Sequence, residues 1–154
     1  MFEHIMSREQ LLQECANAYE RLIETATEAG QRGVTRTEDG WGPREIVAHL
    51  AGWEVMATVR IPAVVGGMAP LEFADEAQTI VMDDAINSAF AMLAGDQPLA
   101  ALCAKLRRAY QHNIEFLKTL DDRFFQPGEY VYERTKGVFR HCQEHIEMLV
   151  PAQP

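Results

Sequence analysis

Apolar residues in this chain recur at intervals of three and four, in stretches separated by glycine and proline, a pattern that leaves room for little besides helices. Leu11, Leu12, Cys15, Tyr19, Leu22, Ile23 and Ala26 line one side of a first helix running to about Gly30. Ser7 with Gln10 makes a capping box at its start. Gly42-Pro43 opens a second helix, because a proline in the first turn gives up an N–H that has no helical partner anyway. This helix is expected to reach Arg60 and to stop before Pro62 and the Gly66-Gly67 pair. The stretch from about Asp75 to Leu93 reads as one helix or two short ones, with Ile80, Val81, Ile86, Phe90 and Leu93 apolar. Gly95-Asp96-Gln97-Pro98 marks a stop and restart, with Asp96 suited to cap a further helix. That helix carries Leu99, Leu102, Cys103, Leu106, Ala109, Tyr110, Phe116, Leu117 and Leu120. After a loop from Asp121 to Glu129, the last helix runs from about Tyr132 to Leu149, with Val138, Phe139, Cys142, Ile146 and Leu149 inward. No segment alternates with period two between hairpin turns, so the class is all-α.

With 154 residues, no repeat and no low-complexity linker, residues 1–154 read as one domain able to bury a core. A net charge of −9 without any cluster of Lys or Arg would repel a phosphate backbone, which excludes nucleic acid as the expected partner. Three scattered cysteines argue against a disulfide framework and for a reducing compartment. Glu3 and His4 stand where a signal peptide needs base. The longest uncharged run, Ile61 to Leu71, holds two prolines and two glycines and cannot span a bilayer. A soluble cytoplasmic protein that binds no membrane is the expectation.

Three histidines carry the chemistry. His141 and His145 are four apart on one helix and project the same way, beside the inward stripe of Val138, Cys142 and Leu149. His49 flanks Ile46, Leu50 and Trp53 in the same manner on the second helix. Two imidazoles at that spacing reach one ion at about 2.0–2.1 Å, and a third can join from another helix. The plainer reading is that each histidine satisfies a nearby carbonyl or carboxylate, and periodicity alone leaves both open. His112 reads as exposed, and Cys142 points about 100° from His141 around the helix, away from a shared ion. Trp53, Met56, Arg60 and Met148 stand next to the ligands and are the candidate walls of a substrate pocket; core filling is the alternative for each. Arg60 is placed either to anchor a carboxylate or to snorkel at the surface. Phe124 and Phe125 suit a lid over the site or a plug in the bundle end. Glu54 and Glu144 are near in sequence, but nothing selects either as a base.

The run Trp41-Gly42-Pro43-Arg44-Glu45-Ile46-Val47-Ala48-His49-Leu50-Ala51-Gly52-Trp53-Glu54 resembles the second-helix signature of the DinB/DfsB superfamily, with its His-Leu-x-x-Trp core at His49, Leu50 and Trp53. His141-Cys142-Gln143-Glu144-His145 is similar to that family's His-x-x-x-His in the last helix, in wording closest to the ClbS/DfsB branch. The resemblance implies an antiparallel four-helix bundle, often dimeric, with one metal held by His49, His141 and His145. The family includes thiol-dependent transferases and isomerases and proteins that disarm reactive small molecules.

Three neutral imidazoles leave a coordination position open, and nitrogen ligands suit Zn²⁺, Ni²⁺ or Fe²⁺. The expected function is therefore a metal-dependent enzyme acting on an electrophilic small molecule, by hydrolysis or by transfer of a low-molecular-weight thiol. The alternatives are a ClbS/DfsB-like protective hydrolase or sequestering protein that works without metal, and a non-catalytic bundle that binds a small molecule. A homodimer is expected as well. Val47, Ala51, Val55 and Val59 make a second apolar stripe on the helix that carries His49, and one bundle is not expected to cover both sides.

Overall fold

Ser7 Oγ accepts the Gln10 N–H at 3.2 Å and Gln10 Oε1 accepts the Ser7 N–H at 2.9 Å, closing the capping box that starts α1 (Arg8–Gln31). The computed structural model describes residues 6–37, 40–70 and 76–150; the readings placed on Glu3, His4, Leu71 and Asp75, and the ends of the span 1–154, lie outside these. The described residues form α1, α2 (Pro43–Val65), α3 (Glu76–Leu93), α4 (Leu99–Lys118) and α5 (Tyr130–Leu149), with a short 3-10 helix at Asp122–Phe125 and no strand. None of these helices is long and apolar enough to cross a membrane.

The second helix does not stop at Arg60. Pro62 lies inside it and donates no N–H to the preceding turn, yet Ile61 is 1 % exposed in the core, and that anchorage outweighs the lost bond. The helix ends instead at the glycine pair, where Gly67 takes φ +102° and the Met68 N–H reaches the Ala63 carbonyl at 3.0 Å. Asp96 does not cap α4. Pro98 occupies the cap position with extended backbone and no side-chain bond, so the chain re-enters helix two residues later than a cap at Asp96 would place it.

Long-range contacts set the helix directions. The Arg44 guanidinium, at the start of α2, donates to the carbonyls of Gly95 and Gln97 just ahead of α4. Further along, Asn113 of α4 meets Glu54 of α2, so these two helices run the same way. Arg8 contacts Leu120 and Asp122 ahead of α5, and Arg32 donates to the Leu149 carbonyl at its end, so α1 and α5 are parallel too. The pairs α1/α4 and α2/α5 are antiparallel: Arg8 meets Leu120 while Gly30 lies by Leu99, and His49 meets His145 while the later Glu54 meets the earlier Arg134. A uniformly antiparallel bundle is thus replaced by two parallel pairs, because α3 carries the chain back to the end where α2 began.

Helices α1, α2, α4 and α5 enclose two apolar clusters. One centres on Leu22, Ile46, Leu50, Leu102 and Leu106; the other, toward the opposite end, on Leu11, Ile61, Leu117, Phe125 and Val131. Neither cluster contains a residue of α3, which packs chiefly on α2. There Phe90 lies over Gly52 so closely that a Cβ on residue 52 would stand 2.2 Å from the ring. Ile80, Val81 and Leu93, apolar by pattern, face outward. The valine stripe is also divided: Val47 and Ala51 are buried within the chain, whereas Val55 and Val59 are exposed.

Candidate metal centre

His49 projects from the early part of α2, one turn after Glu45, whose carbonyl lies 3.4 Å from Nδ1. A carbonyl only accepts, so this contact keeps the proton on Nδ1 and turns Nε2 of His49 bare toward the core. His141 and His145 project from the late part of α5 toward the same point. The Nε2–Nε2 separations are 3.0 Å for His141–His145, 3.2 Å for His49–His145 and 3.5 Å for His49–His141. Three ligands about 2.0–2.1 Å from one tetrahedral ion stand about 3.3–3.4 Å apart, so the triangle has the size such an ion needs.

The triangle does not satisfy itself. Each Nε2 either carries a proton or does not, so at least two of the three are alike, and two like nitrogens at these distances repel. Nδ1 of His145 has no hydrogen-bond partner and is shut off from solvent. Burial, then the neighbouring His145 and His141, pushes His49 down to about 3. Burial, followed by His141, lowers His145 to about 4. His141 is also lowered, by burial first; Glu144 opposes the shift and Arg140 adds to it. All three rings are therefore neutral near pH 7, the form in which imidazole binds a cation. Each offers one nitrogen, and together they are a donor set that could hold a metal ion.

Not every residue singled out by sequence reaches this place. A cavity of about 190 Å³ opens beside His141, and Trp53 and Arg60 line it. Met56 and Met148 are not among its lining residues, and Met148 is exposed. Phe125 is no lid: it is buried in the second apolar cluster, with Ile61 from the far end of α2, so it plugs the end away from the histidines. His112 and Glu144 are exposed, and Cys142 is buried outside the triangle with its thiol pushed up to about 12, by burial first and then by Glu54.

Sequence reasoning missed a second polar cluster, which forms another wall of the same cavity. Glu54, 2 % exposed, accepts from Tyr19 Oη and Arg134 Nη2 on Oε1, and from Asn113 Nδ2 on Oε2 at 2.7 Å. Asn113 Nδ2 also donates to the Glu54 carbonyl at 2.9 Å. These residues come from α1, α2, α4 and α5, so no local spacing relates them. The available signal was a glutamate, an asparagine and an arginine each falling at an inward helical position. Glu54 is occupied here as an ion-pair partner.

Trp53 is held in place. Its Nε1 donates to Asn87 Oδ1 at 2.6 Å, Phe90 meets it edge-on at 5.7 Å, and the Arg60 guanidinium lies 5.9 Å over its ring. Trp41, ahead of α2, tilts against the His49 ring at 4.8 Å. No protein-family model, curated protein or solved structure matches the chain.

Proposed function

We propose that His49, His141 and His145 bind one divalent ion, and that the protein is a metal-dependent enzyme acting on an electrophilic small molecule by hydrolysis or thiol transfer. The observation that carries this reading is the triangle of Nε2 atoms 3.0–3.5 Å apart, the size that a shared tetrahedral cation requires. Once bound, such an ion supplies Lewis acidity that activates water or the thiol of a low-molecular-weight cosubstrate.

The chain's own residues do the rest. His49 is oriented by the Glu45 carbonyl, and burial keeps all three rings unprotonated at neutral pH. His141, the least buried of the three, is the ligand that lines the cavity, and we place the substrate there, beside it. Trp53 and Leu50 give that space apolar wall, which orients a substrate and excludes water. The His-Leu-x-x-Trp and His-x-x-x-His segments support membership of the DinB/DfsB superfamily as part of this proposal. A second copy covering Val55, Val59 and the outer residues of α3 would remove exposed apolar side chains from water, and we propose a homodimer on that ground.

Elemental analysis of protein purified without added metal tests the centre. About one divalent ion per chain is expected in the parent protein and in His112→Ala, and far less in His145→Ala. A folded parent protein without metal, or equal loss in both variants, would return the cavity to a metal-free protective or sequestering role.

A further inference from the structure

The cavity beside His141 has a charge imbalance. Among the described lining residues, Glu54 contributes one negative charge and Arg60 and Arg134 two positive ones. Arg134 is committed to Glu54, whose two oxygens already take three donors. The positive charge in excess therefore resides at Arg60. Its guanidinium lies over the indole of Trp53, and that indole is fixed by Asn87 and Phe90. A planar apolar surface and a fork of N–H donors thus meet at the cavity, with His141 among its other lining residues. The space is small: about 190 Å³ is roughly six waters at about 30 Å³ each, below the about 300–1,000 Å³ of pockets for drug-sized ligands.

We infer that this cavity takes a small, planar carboxylate, with the anion on Arg60 and the flat body against Trp53. As the substrate class of the proposed metal centre, the inference rests on that reading; as a binding site for the anion, it does not. A guanidinium pairs with a carboxylate through two parallel charge-assisted hydrogen bonds, stronger than those a neutral molecule of the same shape can make. An ion at the triangle would add positive charge beside the same cavity, so anionic substrates would be drawn to both.

Benzoate and benzamide have the same shape and differ in charge, and each fits the volume. Calorimetric titration of the chelator-treated full chain should give benzoate at least about tenfold tighter binding than benzamide. Arg60→Gln should bring benzoate down to the benzamide level, and Arg60→Lys should keep part of the difference. Equal binding of the two probes, no benzoate binding at millimolar concentration, or discrimination unchanged in Arg60→Gln would overturn the inference. Thermal melting checks that the variants fold; Trp53→Ala, which leaves the charge and removes the flat wall, should weaken both probes equally. Repeating the benzoate titration with Zn²⁺ present reports on the triangle separately, because tightening that His145→Ala abolishes belongs to the metal reading alone.

Discussion

Two polar clusters are buried in this bundle, and they are opposites. Around Glu54 the donors and acceptors match: a carboxylate receives Tyr19, Asn113 and Arg134, and a negative charge meets a positive one. Around His49, His141 and His145 they do not match, since three nitrogens that face each other leave at least one repelling pair and His145 Nδ1 has no partner. The first cluster is complete in the chain as it stands and holds four helices together. On the proposed reading, a cation completes the second. A buried polar group without its complement calls for an explanation, and at the triangle the proposed cation is that explanation.

The contrast can be broken most forcefully at Glu54. Glu54→Ala leaves Arg134 charged and unpaired in the interior, and urea denaturation should show a loss of about 3–5 kcal/mol. The corresponding change in the other cluster, His145→Ala in metal-free protein, should cost much less, since it removes a repelling nitrogen. Equal losses would erase the distinction. Next in size is the effect of the ion. Zn²⁺ at about one hundred times its dissociation constant should stabilise the parent protein by about 2.7 kcal/mol, a rise in Tm of about 5–10 °C. That rise should vanish in His49→Ala, His141→Ala and His145→Ala and persist in His112→Ala.

Acid sharpens the same comparison. In the unfolded chain His49 and His145 take up protons below about pH 6.5, whereas in the metal-free folded protein they do so only near 3 and 4. The unfolded state therefore binds more protons in that window, and stability should fall as pH drops from about 6.5 toward 4, by up to about 1.4 kcal/mol per pH unit for each histidine. Denaturation midpoints across this range should show a shallower decline in His49→Ala; an unchanged slope would mean that the ring is not held neutral by burial. The smallest stability effect is expected outside both clusters. Val55→Glu with Val59→Glu, at exposed positions, should shift stability by no more than about 0.5 kcal/mol at each site. Light scattering should nonetheless show a dimer becoming a folded monomer, and a parent protein already monomeric at high micromolar concentration would end the dimer proposal.

The helices were legible because their apolar residues repeat, and the histidine pair because four residues make about one turn. His49 could be read as inward, but only the fold shows that it meets the other two. The Glu54 cluster was illegible for a physical reason: its members are 35, 59 and 80 residues from Glu54, and partnership across such distances leaves no period. Pro62 misled because a helix breaker was weighed without the burial of Ile61 that offsets it. The valine stripe misled because four residues at one spacing need not share one neighbour, and the first half is covered within the chain. Met56 and Met148 were adjacent to ligands along their helices, yet adjacency along a helix does not settle which side borders a cavity.

The histidine triangle joins residues 92 and 96 positions apart. During synthesis, His49 leaves the ribosome long before α5 exists, and an early ion would find a single imidazole with nothing to share it. The triangle forms only when the last helix docks against the second. If the triangle binds an ion as proposed, its uptake reports finished folding, and a chain stalled or clipped before its final helix would stay blind to the ion however much of it is present.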